Sequence, residues 1–196
     1  MHSAAGASEK QLGDLVVEAM GASAEVAPVA KKTSRVLIGG LGLGITLRRV
    51  LDGVPMAARV DVAELMPEVV AWNRVWLSAV NGAALDDARV TIRTGDVAAC
   101  LVRGAGYAVI ALDVDNGPSA MVSAGNAGLY SERGLARLAA ALAPGGHMLV
   151  WSAGPDRAFE GRLTPAGFEA VRAVPGSAQA RSRSRGHVIF VARRAA

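Results

Sequence analysis

The sequence predicts an α/β domain: a doubly wound, mostly parallel sheet with helices on both faces and a C-terminal antiparallel hairpin. Three observations carry this. Apolar, β-branched runs recur at 35–39, 59–63, 89–92, 107–112 and 147–151, with helix-like periodic stretches between them. That rhythm belongs to buried parallel strands joined by crossover helices. A glycine-rich turn, Gly39-Gly40-Leu41-Gly42-Leu43-Gly44, follows the first run. After Gly146 the pattern changes, and FEAVRAV and HVIFVAR become two strand-like segments joined by a turn-rich stretch.

Taken in order, residues 1 to 33 read as an N-terminal tail, a short helix and a linker, which leaves 34 to 196 as the ligand-binding domain. The helix is expected from Ser8, a favourable N-cap, to about Met20, because Leu12, Leu15, Val16 and Met20 share one face. RVLIG is the first strand, and a helix begins near Ile45 once the glycines have let the chain turn sharply. RVDVA, RVTI and YAVIAL follow as strands two to four. Tyr130 and Ser131 stand at the start of a further helix, and HMLVW is the fifth strand. With 196 residues and 52% hydrophobic content, the chain can bury one sizeable core and hardly two.

The net charge of +4 is unevenly placed, since residues 170 to 196 hold six arginines and no acid. Arg181, Arg183 and Arg185 alternate with serines before the last strand. Without interleaved aromatic residues they read as a solvated loop, and nucleic-acid binding is not expected. A single cysteine, Cys100, rules out an intramolecular disulfide and fits a reducing compartment. Glu9, Asp14, Glu18 and Glu25 interrupt every apolar stretch near the start, where a leader peptide would need one. A cytoplasmic protein with no membrane partner is expected.

The glycines fall at the turn between the first strand and the first helix of the sheet. Written Gly40-x-Gly42-x-Gly44, they let the chain reverse, let a ligand approach the backbone, and let the helix pack closely; a purely structural turn has the same composition. Glu64 ends the second strand, where a carboxylate can accept hydrogen bonds from both hydroxyls of a ribose or stand as a solvated charge. Asp96, after the third strand, is placed to accept from an adenine amino group, with the Val97 amide facing the ring. Asp113 and Asp115 follow the fourth strand at the mouth of the same crevice. In an extended segment they share one side, and one of the two faces the ligand.

This set of motifs resembles the catalytic domain of the spermidine synthase (polyamine aminopropyltransferase) family, within the Rossmann-like class I S-adenosylmethionine-dependent methyltransferase fold. The matching runs are RVLIGGLGLGITLRRVLD, RVDVAELMPEVVAWNR, LDDARVTIRTGDVAACL, YAVIALDVDNGP and LYSERGLARLAAALAPGGHMLVWSA, which span about residues 35 to 170. The resemblance implies S-adenosylmethionine or its decarboxylated form as co-substrate, no metal, and transfer of an aminopropyl or methyl group to a small-molecule amine. It implies further that Glu64 binds ribose, Leu65 packs on adenine, Asp96 meets the adenine amino group, and Asp113 is the acid near the reacting amine. A homodimer is expected, since the family associates.

The departures concern the acceptor end. The family's Gly-Gly-Gly-Asp-Gly-Gly turn reads GGLGLG, with Gly42 in the aspartate's place. Its Glu-x-Asp-Pro becomes Glu64-Leu65-Met66-Pro67, and its Asp-x-x-Asp-Pro becomes Asp113-Val114-Asp115-Asn116-Gly117. The family's N-terminal β-stranded domain has no counterpart before Ser8. A polyamine needs fixed carboxylates, and this chain has fewer. Two further readings therefore stand beside the transferase: an adenosyl-binding domain that has lost catalysis, and, on the glycines and Glu64 alone, an NAD-type oxidoreductase. For the transferase, Asp113 is the expected base, with Asp115 in reserve. Trp72 and Trp76, four apart on one helix, are expected in the core or an interface rather than as a stacking platform; Trp151 lines the pocket or packs in the core. His147 and His187 lack metal-ligand spacing.

Overall fold

A computed structural model describes residues 6–26, 34–114, 117–118, 128–176 and 186–195. Five strands run parallel: β1 (Arg35–Gly39), β2 (Arg59–Glu64), β3 (Val90–Thr94), β4 (Tyr107–Leu112) and β5 (Leu142–Ser152). The hairpin strands β6 (Phe168–Pro175) and β7 (Val188–Arg194) are antiparallel, and β7 pairs with β5. The seven-stranded sheet has the order β3-β2-β1-β4-β5-β7-β6. The expected architecture is thus present, hairpin included.

Helices α1 (Ala7–Val26), α2 (Ile45–Gly53), α3 (Pro67–Val75), α4 (Ser78–Asn81), α5 (Glu132–Ala141) and α6 (Arg157–Leu163) connect or cover the strands. Short 3-10 turns lie at Ala84–Asp86 and Val97–Cys100. Alternation along each strand divides the core between the two faces of the sheet. On one face Val36 and Ile38 of β1 pack with Leu12 and Val16 of α1 and Val50 of α2. On the other, Leu37 packs with Leu135 and Leu138 of α5 and Phe159 of α6. The helices that carry these residues start where their sequences allow. Ser131 caps α5 by accepting from the Gly134 amide, and Asp156 caps α6 by accepting from the Phe159 amide. Each such cap is worth about 1 kcal/mol.

Two boundaries differ from those read in the sequence. The first helix begins one residue before Ser8 and continues to Val26, so Ser8 lies inside its first turn and its hydroxyl donates to Glu9 Oε2 at 2.7 Å. The extension has two causes. Ala19 and Met20 are buried in the core, and the Ser23 hydroxyl is hydrogen-bonded to His147 Nδ1 on β5 at 3.0 Å. The fifth strand starts at Leu142, five residues earlier than read, because Leu142 already pairs with Tyr107 ahead of a register shift.

Four strands are tied together by charge as well as by their ladder. Asp61 of β2 is buried and accepts from Arg35 of β1 at 2.6 Å, Arg93 of β3 at 3.3 Å and the Tyr107 hydroxyl of β4 at 3.0 Å. Burial, and then the Asp61 charge, push the Tyr107 hydroxyl up to about 12, so it stays a donor. The network holds β3, β2, β1 and β4 in register, which fixes the spacing of their carboxyl ends.

Candidate functional site

The strand order reverses between β1 and β4: β2 and β3 lie to one side and β5 to the other. Loops leaving the carboxyl ends of β1 and β4 therefore diverge, and an open α/β sheet has its ligand crevice at this point. The predicted glycine turn and Asp113 both lie there. Gly39 closes β1, and Gly40, Gly42 and Gly44 all have left-handed backbone, at φ 91, 51 and 77.

Each glycine answers a different requirement. A Cβ on Gly40 would stand 2.3 Å from the Asp113 carbonyl oxygen, so the turn after β1 and the end of β4 touch only because that Cβ is missing. The contact is reinforced by the Asp113 amide, which donates to the Gly39 carbonyl at 2.8 Å. Gly44 precedes α2, and a Cβ there would run into Asn73 and Asn81. Gly42 is unlike both, since its Cβ would meet nothing within 4 Å. The outer side of the turn is open to a ligand.

Glu64 ends β2 and is buried. Its Oε2 accepts from the Leu41 amide in the glycine turn at 2.8 Å, and its Oε1 accepts from the Met66 amide at 3.0 Å. Each carboxylate oxygen has capacity for a second donor, so the group is fixed by backbone and still able to accept a pair of hydroxyls. Leu65 beside it is exposed. The Gly95 amide donates to the Glu64 carbonyl at 2.7 Å, which brings the end of β3 against the end of β2. Asp96 follows, exposed, and accepts from the Ala98 amide at 2.8 Å as the cap of the Val97–Cys100 turn. The Val97 side chain is buried under Gly39. A groove lined by Asp96, Ala98, Leu101, Leu129, Ser131 and Arg137 opens beside Asp96.

Asp113 stands directly after β4. Burial, and then the charge of Glu9, push its carboxyl up to about 6, above the usual carboxylate range. It therefore exchanges its proton close to neutral pH, as a base for an ammonium-forming amine must. Asp115 and Asn116, like the alternating Arg181, Arg183 and Arg185, lie outside the described residues.

The structure therefore brings Gly39, Gly40, Gly42, Gly44, Glu64, Val97 and Asp113 together around the crevice, with Leu65 and Asp96 on its rim. Two residues that sequence reasoning passed over hold the turn from below. Asn73 of α3 donates its amide to the Gly42 carbonyl at 2.8 Å and to the Val69 carbonyl at 2.9 Å, and its Oδ1 accepts from Asn81 Nδ2 at 2.8 Å. Both asparagines are buried. The signal was present: Asn73 follows Val70 by three on the same helix face, a polar residue where apolar periodicity asks for a hydrophobe. Replacing Asn73 with Ala should cost about 1–3 kcal/mol in urea unfolding, since it removes the bond to the Gly42 carbonyl and leaves the buried Asn81 amide only the long 3.5 Å contact to the Asn73 carbonyl. A loss below about 0.5 kcal/mol would show that the turn holds its shape unaided.

Trp72 and Trp76 are 53% and 75% exposed, which removes the core reading and leaves an interface or a stacking platform. The partly buried Trp151 packs against the α1 side of the core and stacks on His187, with ring centroids 5.8 Å apart. Among the described residues no three His, Cys, Asp or Glu side chains cluster as a metal site, and no helix is long and apolar enough to cross a membrane.

Compared by sequence, the chain matches no protein-family model and no curated protein. Compared by structure, it superposes on the spermidine synthase from Thermotoga maritima with a TM-score of 0.70 at 20% identity, over 95% of this chain and 60% of that one. A spermidine synthase in complex with the transition-state analogue AdoDATO gives 0.72 at 20% identity, over 95% and 61%. The fold is that of spermidine synthases and class I methyltransferases. The CurJ carbon methyltransferase agrees, with a TM-score of 0.65 at 17% identity, over 96% of this chain and 54% of that one. The chain spans about three fifths of the length of the synthases on which it superposes.

Proposed function

We propose that the chain binds S-adenosylmethionine or decarboxylated S-adenosylmethionine as co-substrate and transfers a methyl or aminopropyl group to an amine. One observation carries the reading: at the switch point of the sheet, a glycine turn open at Gly42 lies between a backbone-anchored Glu64 and a proton-exchanging Asp113. Glu64 is placed for two ribose hydroxyls, Leu65 and Asp96 for the two aspects of an adenine, and the turn for close approach of the ligand to the backbone. Likeness to spermidine synthases in fold supports the choice of an adenosyl ligand over a dinucleotide.

The chemistry is a displacement at a carbon bonded to sulfonium. The amine nitrogen forms a bond to that carbon as the carbon–sulfur bond breaks, and the bonding pair leaves on sulfur as a neutral thioether. No acid is needed for the leaving group. The residues of the chain align the two partners and accept the proton lost by the amine, which Asp113 can do once ionised. Alignment alone can supply roughly 7–11 kcal/mol of the barrier.

Incubation with decarboxylated S-adenosylmethionine and 1,4-diaminobutane, or with S-adenosylmethionine and a panel of amines, followed by mass spectrometry, tests the reading. An alkylated amine with the matching thioether product supports it. Gly42, Met66 and Asn116, in place of family acids, favour the second reading, an adenosyl-binding domain without turnover. Binding of a thioether nucleoside without any product would decide for that one.

We also propose a homodimer, with the exposed Trp72, Val75, Trp76 and Val80 surface of α3 and α4 as the apolar area to be covered. Light scattering at tens of micromolar should give about twice the chain mass; a monomer there excludes it.

A further inference from the structure

The chain crosses from β3 to β4 through residues 95–106, with the 3-10 turn Val97–Cys100 as its only regular structure. A parallel crossover usually carries a full helix, which covers the sheet. Here the loop leaves a cavity of about 410 Å³ between itself and the sheet, with Arg35 and Arg93 on the strand side and Cys100 and Val102 on the loop side. We propose that this cavity is a binding site for a small organic carboxylate with an apolar body. Neither the glycine turn nor Glu64 nor Asp113 lines it, so the site is separate from the crevice and independent of what the crevice binds.

The two guanidiniums are used differently. Arg35 is committed to the fold: its Nη1 donates to the Ala105 carbonyl at 3.0 Å, its Nη2 to Asp61 at 2.6 Å, and its guanidinium lies over the Tyr107 ring, 4.6 Å from the centroid. Arg93 is not. Its Nε donates to Asp61 at 3.3 Å, and half of the side chain is exposed. Among the described residues, Nη1 and Nη2 of Arg93 have no hydrogen-bond partner. Those two nitrogens present parallel N–H donors, the fork that a carboxylate accepts with both oxygens.

The charges set the valence of the ligand. Arg35 and Arg93 share the single carboxylate of Asp61, which is buried behind them, so this group of three carries one uncompensated positive charge. One carboxylate balances it. A second negative charge would meet Asp96, the acid of the lining, whose Oδ1 is engaged by the Ala98 amide. Burial pushes the Cys100 thiol up, so it stays neutral and adds no repulsion. A monoanion therefore fits where a phosphate dianion does not.

The rest of the lining calls for an apolar body. Ala99, Val102 and Ala105 supply the loop wall, and Val102 is 61% exposed despite being apolar. An apolar wall facing a few fixed donors is the usual make-up of a small-molecule site, and the volume lies in the usual range of about 300–1,000 Å³. A ligand that sets its carboxylate on Arg93 and its hydrocarbon part against Val102 satisfies both walls at once.

The test is an NMR titration of benzoate, benzyl alcohol and inorganic phosphate into ¹⁵N-labelled protein at constant ionic strength. Benzoate should bind the wild type, with shift changes gathered at the Gly95, Cys100 and Val102 amides, and should bind at least about tenfold more tightly than benzyl alcohol or phosphate. Arg93→Gln should lose about 10- to 100-fold of benzoate affinity. Its Tm should stay close to that of the wild type, because Asp61 keeps Arg35 and Tyr107 as donors. Arg103→Gln, an exposed arginine of the same loop outside the lining, should change benzoate affinity by less than about twofold. Val102→Glu, at an exposed position, sets a negative charge in the cavity and should abolish binding, which decides the matter if Arg93→Gln unfolds early. Absence of benzoate binding at tens of millimolar overturns the proposal. So does equal affinity in a folded Arg93→Gln, an equal loss in Arg103→Gln, binding that survives Val102→Glu, or phosphate or benzyl alcohol binding as tightly as benzoate.

Discussion

Asp113→Asn should lower the rate of group transfer by about 10²–10⁴-fold and leave adenosyl-ligand affinity within about threefold, the pattern of a lost general base. The same substitution should make the protein more stable at neutral pH. The Asp113 carboxyl is pushed up to about 6 in the fold from 3.8 in the unfolded chain, so between those values the folded state binds more protons. Stability then falls as pH rises through that window, and by pH 7.5 an ionised Asp113 costs the fold about 3 kcal/mol. Asparagine carries no such cost. Thermal unfolding at pH 7.5 should show a gain of about 6–12 °C for Asp113→Asn, shrinking towards zero near pH 3.5. In the wild type the transfer rate should rise with pH through about 6. A variant that is no more stable at pH 7.5, or that transfers at the wild-type rate, would remove Asp113 from the base role.

The second large effect is expected at Gly40. Alanine there must adopt φ 91 and place its Cβ 2.3 Å from the Asp113 carbonyl oxygen, a backbone atom held in the β4 end. Left-handed strain contributes about 1–2 kcal/mol, and the clash forces the turn and β4 apart. A total loss of about 3–5 kcal/mol in urea unfolding is expected, with adenosyl-ligand binding weakened because the crevice walls separate. Gly42→Ala is the control: its backbone is also left-handed, yet its Cβ meets nothing, so it should cost only about 1 kcal/mol. Equal losses at the two positions would mean that strain alone governs the turn, and that the contact between Gly40 and Asp113 carries no weight.

The contrast between these glycines shows what a sequence can and cannot convey. Spacing located the turn, and the five apolar runs located the strands, because burial on both faces imposes composition directly. The hairpin was legible for a similar reason: two strand-like segments separated by turn residues have few other ways to pair. Which glycine is sterically required was not legible, since the contact is made with Asp113, more than seventy residues away in the chain. Asn73 and Asn81 were missed on the same ground. Beyond the Val69 carbonyl one turn back, their partners are each other and the backbone of Gly42, and a buried polar pair interrupts an apolar pattern without announcing its target.

The first helix was read too short because its apolar periodicity ends at Met20, whereas burial of Ala19 and Met20 and the Ser23–His147 bond carry it on to Val26. For Trp72 and Trp76 the i, i+4 spacing defines a helix face but not what the face meets, so the sequence left core and interface open and only the exposure removes the core.

The central claim, an adenosyl ligand at the β1 and β4 switch point, is tested most directly by isothermal calorimetry with 5′-methylthioadenosine, S-adenosylhomocysteine and decarboxylated S-adenosylmethionine, for the wild type and Glu64→Gln. At least one of the three should bind the wild type, and Glu64→Gln should weaken that binding by about tenfold or more through loss of the charged acceptor for the ribose hydroxyls. No binding of any of the three at millimolar concentration would contradict the claim, and so would binding that Glu64→Gln leaves unchanged.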